Sequence, residues 1–221
     1  VIISRAAGIV FTLLLTLGPA LPTAWAQGAS GGQALRPKLE GQALVDALAQ
    51  GGHVILLRHT ATEPVTPDPD FFDLDDCSTQ RGLSAQGRSQ ATSMGKAFRK
   101  LGIPVGEVLS SPYCRCLETG KLAFGRATRS EILSVADGMS VQEKSEWGGV
   151  VRKMLATPPK PGTNTVLITH TGTLLYSFGL SSRPEGIAHV FRPGPAGPAV
   201  YVGVMLPEQW PELAGIEAEA P

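Results

Sequence analysis

The sequence predicts a three-layer α/β/α sandwich with a mainly parallel sheet, and three observations carry the prediction. His53–Arg58 and Asn164–Thr169 are unbroken, largely apolar runs of strand length, as expected of strands buried on both faces. Stretches with apolar residues at three- and four-residue steps lie between such runs, so strands alternate with helices. Gly and Pro punctuate the boundaries at the spacing of short α/β connections.

Taken in order, Leu44, Val45 and Leu48 suit a short helix ended by Gly51-Gly52, and the first strand follows at His53–Arg58. Thr62–Asp76 holds three Pro and five Asp without any period and reads as a long, solvated loop. Its aspartates lack the spacing of a calcium loop. From Ser84, a suitable N-cap, the residues Gly87, Ala91, Met94, Gly95, Phe98 and Leu101 mark a helix stopped by Gly102. Glu107–Ser110 is a second short strand and Tyr113–Phe124 a helix closed by Gly125. Trp147, Val150, Val151, Met154 and Leu155 mark a further helix ended by Pro158-Pro159. The third strand, Asn164–Thr169, delivers His170. Gly172–Phe178 can form a helix, and Ala188–Arg192 and Ala199–Met205 are strand-like.

Composition excludes several functions. With 19 basic and 19 acidic side chains in 221 residues, 17% charged residues and no basic run, the chain lacks the electrostatic footprint of a nucleic-acid binder. No GxxxxGK[ST], GxSxG or HExxH is present, so P-loop, hydrolase-elbow and zincin chemistry are unsupported. Nothing in the sequence specifies an oligomeric state.

Residues 1–26 have the form of a secretory signal peptide: Arg5, an apolar run from Ala6 to Leu17, a Gly18-Pro19 break and Ala24-Trp25-Ala26 before the cleavage point. The apolar run is only about a dozen residues, against roughly 20 for a bilayer span, so cleavage leaves no membrane anchor. The expected order is therefore signal peptide 1–26, flexible lead 27–40, folded domain 41–212 and tail 213–221, in a periplasmic or secreted protein. In an oxidising compartment the three cysteines allow one bridge. A Cys77–Cys114 pair would contribute roughly 3 to 4 kcal/mol by closing a long loop.

Three polar clusters follow the predicted parallel strands: Arg58-His59-Thr60, Ser110-Ser111-Pro112-Tyr113-Cys114-Arg115 and His170-Thr171-Gly172. Ligands of open α/β sheets gather outside the carboxyl ends of the strands, so these segments should converge. Two arginines and two histidines in one pocket suit a phosphoryl dianion: guanidinium forks match its oxygens, and neutral imidazole is a competent nucleophile toward phosphorus.

These clusters, together with Leu83-Ser84-Ala85-Gln86-Gly87-Arg88-Ser89-Gln90-Ala91 and Cys116-Leu117-Glu118-Thr119, resemble the histidine phosphatase superfamily, the phosphoglycerate mutase-like group, in its smaller branch. The resemblance runs from about His53 to Pro193. It implies that His59 becomes a phosphohistidine while Arg58, Arg115 and His170 hold the phosphoryl oxygens. Thr60 stands where the family usually has Gly and adds a hydroxyl within reach of phosphate. A carboxylic acid should protonate the leaving group; Glu63, Glu131, Glu143, Glu146 and Glu185 are the candidates. Glu185 is preferred, because its loop follows the His170 helix and can return to the pocket. Arg81 is open between a substrate contact and a surface residue.

The implied activity is an exported phosphomonoesterase acting on a small phosphorylated substrate, with no metal and no cofactor. Two alternatives stand beside it: a phosphatase specialised for envelope glycolipid phosphate or phosphohistidine, and a non-catalytic phosphate-ligand binder.

Overall fold

The computed structural model describes Val1 and residues 35–63, 73–134, 139–180, 182–195 and 197–217. The signal-peptide segment, the lead as far as residue 34 and residues 64–72 of the long loop lie outside the described residues. The chain divides into a unit of residues 1–33 and a unit of residues 34–221; the fold described is that of the second. Among the described residues no helix is long and apolar enough to cross a membrane.

Six strands form one sheet: β1 (Val54–Arg58), β2 (Val105–Ser110), β3 (Thr128–Arg129), β4 (Asn164–Thr169), β5 (Ala188–Arg192) and β6 (Val200–Met205). Their order is β3-β2-β4-β1-β5-β6. The pairs β3/β2, β2/β4 and β4/β1 are parallel, whereas β1/β5 and β5/β6 are antiparallel. The helices are α1 (Gly41–Ala49), α2 (Ala85–Lys100), α3 (Cys114–Phe124), α4 (Val141–Ala156), α5 (Thr171–Phe178) and α6 (Gln209–Ala214).

Strand alternation explains the three layers. Ile55 and Leu57 of β1 join Val166 and Ile168 of β4 in one core with α1, α2, α3 and α6, including the fully buried Trp210. Val54 and Leu56 point the other way, into a core with Leu167, Leu133, Val151 and Leu155 of α4, and Leu174 of α5. Both faces of the sheet are therefore covered, which is why β1 and β4 read as continuous apolar runs.

Local signals fix the helix ends. The Ser84 side chain accepts from Gly87 N at the start of α2, and Gly125, at φ 71°, closes α3. A capping box of Ser140 and Glu143 opens α4, nearly two turns before the apolar residues that marked it in the sequence. Within α4, Val151 and Leu155 are buried, but Val150 is exposed and Trp147 half-buried, its indole donating to Ile132 O at 2.7 Å.

The fold also extends past both boundaries drawn from composition. Leu39 N donates to Val202 O at 3.0 Å, and Leu35 and Leu39 pack on the two cores. At the other end Ala214 is buried, and Leu213 and Ile216 lie against the same cluster as Trp210. Packing of side chains distant in sequence, invisible to local polarity, decides both ends.

Candidate active site

Three parallel strands end at the same edge of the sheet, and each delivers a polar residue one position beyond its last. The ladder continues through these residues: His59 N donates to Thr169 O at 3.0 Å and Ser111 N to Ile168 O at 2.9 Å. His59 and Ser111 are therefore held by backbone pairing, and His170 directly follows the paired Thr169. Their rings converge, with the His59 and His170 centroids 5.4 Å apart in an edge-to-face arrangement. Arg115, in the first turn of α3, completes the group; it is 2% exposed, as is His59, and His170 is 4% exposed.

Hydrogen bonds fix the tautomers. His59 Nδ1 is 3.0 Å from Thr60 O, and a carbonyl only accepts, so Nδ1 carries the hydrogen and Nε2 the lone pair. For His170 the pattern reverses. Arg115 Nη2 lies 3.3 Å from Nδ1 and can only donate, so the hydrogen sits on Nε2, which donates to Ser111 Oγ at 2.8 Å. The Arg115 guanidinium also lies over the Tyr113 ring, 4.5 Å from its centroid. Burial pushes both histidines well below the ordinary imidazole range. Arg115 adds to the effect on His59, and for His170 the neighbouring His59 and then Arg115 add to it. Both rings are accordingly neutral at neutral pH.

Arg58, the last residue of β1, is held at two of its nitrogens. Its Nη1 donates to Ser182 O at 3.0 Å and its Nη2 to Glu185 Oε1 at 2.8 Å. Burial lowers its affinity for its proton, and the Glu185 carboxylate opposes that effect. Glu185 thus reaches the site, from the loop that leads into β5. Glu131, Glu143 and Glu146 are engaged at the surface instead: Glu131 with Arg129, Glu143 in its capping box and Glu146 with Gln142. Glu63 is exposed, and its backbone N–H donates to Gly82 O at 3.2 Å.

The Thr60 hydroxyl has a partner within the protein. Thr119 spends its one hydrogen on Arg115 O at 2.7 Å, so its oxygen accepts both the Thr60 N–H and the Thr60 hydroxyl, each at 3.2 Å. Thr60 is fully buried and ties the end of β1 to α3.

The Ser84–Ala91 stretch holds the segment after β1. Ser84 N donates to Ala61 O at 3.0 Å, and Ala61 N donates to Gln90 Oε1 at 3.0 Å. Gly87 permits this approach: a Cβ there would stand 1.8 Å from Ala61 O. A disulfide joins Cys77 to Cys114, with Cα atoms 5.6 Å apart, and Cys116 is a buried free thiol. Beside the disulfide, Gln80 accepts from Cys114 N at 2.9 Å and donates to Asp73 O at 2.8 Å. Arg81 follows, half-buried, and its charge acts on Arg58, His59 and His170 together. It belongs to the site's surroundings, four residues beyond Cys77, whose disulfide partner Cys114 lies 37 residues along the chain. Ser111, the partner of His170, carried no such role in the sequence.

Among the described residues no group of His, Cys, Asp and Glu has the arrangement of a metal site. A separate cavity of about 170 Å³, lined by Glu107, Met154, Pro158 and Lys160 among others, shares no residue with this cluster.

No protein-family model and no curated protein matches the sequence. Solved structures do match. A phosphoserine phosphatase variant from Entamoeba histolytica, in complex with phosphoserine, aligns with a TM-score of 0.51 at 13% identity, over 71% of this chain and 98% of that one. The fold is the phosphoglycerate mutase-like one. The ecdysone phosphate phosphatase of Bombix mori, in complex with tungstate, shares this fold with a TM-score of 0.50 at 16% identity, over 70% of this chain and 92% of that one.

Proposed function

We propose that the protein is a member of the histidine phosphatase superfamily, an exported phosphomonoesterase working through a phosphohistidine on His59. The observation that carries this reading is the His59 ring: its Nδ1–H is spent on Thr60 O, leaving a neutral Nε2 lone pair on a buried ring that packs against His170, with the Arg115 charge acting on it. The phosphoryl group of a small substrate would sit against the guanidinium groups of Arg58 and Arg115 and the ring of His170. His59 Nε2 attacks phosphorus in line; the P–O bond to the leaving group breaks, and the leaving oxygen takes a proton from a carboxylic acid or from solvent water. Water then attacks phosphorus, the P–N bond breaks, and phosphate departs with His59 restored. Neither half of the cycle calls for a metal or a cofactor.

Export is part of the proposal. The Cys77–Cys114 bond supports an oxidising compartment, and the mature chain would begin at Gln27. Terminal sequencing of protein recovered from the periplasm or medium tests this; retention of residues 1–26 would contradict it.

Turnover of p-nitrophenyl phosphate by the mature chain, with and without EDTA, beside His59→Ala, tests the activity. EDTA-insensitive turnover abolished by the substitution is expected. Phosphate binding without turnover, changed by His59→Ala only in affinity, would instead make the protein a phosphate-ligand binder.

A further inference from the structure

The loop before β5 is stitched to the two residues that open the active site. Arg58 N donates to Ile187 O at 3.0 Å, and Gly186 N donates to His59 O at 2.9 Å. Glu185 immediately precedes these contacts, so the pairing that places His59 also places the Glu185 carboxylate. Gly186 makes the turn at φ 84°.

Both carboxylate oxygens are occupied. Oε1 accepts from Arg58 Nη2 at 2.8 Å, and Oε2 accepts from Thr62 N at 2.9 Å. The Thr62 hydroxyl lies 3.2 Å from Oε1 and 3.3 Å from Oε2. Each oxygen already accepts from an N–H donor, and these bonds hold the carboxylate against Arg58 and Thr62. On the other side of the guanidinium, Ser182 O takes Nη1. With two of its nitrogens tied to Glu185 and to a backbone carbonyl, the guanidinium plane has one orientation before substrate arrives. Thr62 extends the effect: it bridges to Leu83, just ahead of the α2 N-cap.

We infer that Glu185 is a positioning residue that presets Arg58 for the phosphoryl group and ties the segment after His59 to the β5 loop, and that it does not donate the leaving-group proton. The inference rests on the phosphohistidine reading and assigns one residue within it. A proton donor acts in proportion to the leaving group's need, whereas a residue that sets an arginine acts equally on every phosphoester. Misplacing a phosphate-binding arginine by about an ångström costs on the order of 100-fold.

The test compares wild type, Glu185→Gln, Glu185→Ala, Arg58→Ala and the Arg58→Ala/Glu185→Ala double variant on p-nitrophenyl phosphate and on glycerol 2-phosphate. Calorimetric titration with inorganic phosphate runs beside the kinetics, and circular dichroism verifies folding. We expect both Glu185 variants to lose kcat/KM by the same factor on the two substrates, about 10- to 100-fold, and to bind phosphate more weakly. The double variant should be no worse than Arg58→Ala alone. A loss confined to glycerol 2-phosphate would make Glu185 the acid, and multiplying losses would uncouple it from Arg58; either overturns the inference while leaving the phosphohistidine reading intact. Activity surviving His59→Ala would overturn that reading instead. Should wild type turn over neither substrate, phosphate affinity decides: a shared weakening in the Glu185→Ala and Arg58→Ala variants supports the inference, and unchanged affinity in Glu185→Ala overturns it.

Discussion

Ser111 Oγ lies 2.8 Å from His170 Nε2 while Arg115 occupies Nδ1, so the His170 ring is fixed in both tautomer and tilt by two residues of one strand-to-helix turn. Removing the hydroxyl leaves the buried N–H with only the weakly accepting Cys116 sulfur, 3.6 Å away, at a cost of about 1–3 kcal/mol. Ser111→Ala should therefore lower stability by that amount in urea titrations. It should also lower kcat more than it raises KM for p-nitrophenyl phosphate, because the ring that faces the phosphoryl group loses its support.

The pH dependence of turnover follows from the environment of His59. Burial, reinforced by Arg115, moves its protonation well below the free-imidazole value of 6.5, so the nucleophile stays neutral through mildly acidic pH. The acid limb of kcat/KM should fall well below pH 6.5. A limb centred at 6.5 would show that His59 is solvated.

His189 supplies a stability prediction with a definite sign. It is buried in β5 against the Tyr201 hydroxyl at 3.0 Å, and burial lowers its pKa to about 4. Below pH 6.5 the unfolded chain binds a proton that the folded chain does not, so stability falls from pH 6.5 to about 4 and this contribution levels off below. The full span is about 3 kcal/mol, and the lowered values of His53, His59 and His170 act in the same direction. Chemical denaturation across that range should show the decline, with a shallower slope in His189→Gln.

The cross-link should be measurable both chemically and in function. Only Cys116 should alkylate in denatured, non-reduced protein. Cys77→Ser with Cys114→Ser should cost about 3 to 4 kcal/mol and weaken phosphate binding as well, since Gln80, bonded to Cys114, directly precedes Arg81, whose charge acts on the site.

How far the sequence discloses this site depends on whether a role is local. Strands buried on both faces are continuous apolar runs, so β1 and β4 and the histidines that follow them were legible. Ser84 and Gly125 act within one turn, so the ends of α2 and α3 were legible too. The two-residue β3 carries no pattern of its own, and α6 is a six-residue helix with Pro211 inside it, held by burial of Trp210 against α1 and α2. Both exist through partners far away in the chain. The Thr60 hydroxyl is similar: its partner is Thr119, one turn along α3 from Arg115. Gly87 lies between these cases, since its motif was visible and its reason, contact with Ala61 O, was not.

That contact gives a further expectation. Gly87→Ala would force α2 away from Ala61, at about 3 kcal/mol if the strain is that of an overpacked core. Activity should fall with stability, because the same segment connects His59 to Thr62; thermal melts and turnover on one sample decide it.

The most direct measurement is a rapid-quench reaction of the mature chain with p-nitrophenyl phosphate, followed by peptide mapping under alkaline conditions that preserve phosphoramidates. An acid-labile phosphoryl group is expected on the peptide containing His59 and absent from His59→Ala. Phosphate on Ser111 or Cys116, or full turnover with no phosphorylated peptide at any quench time, would contradict it.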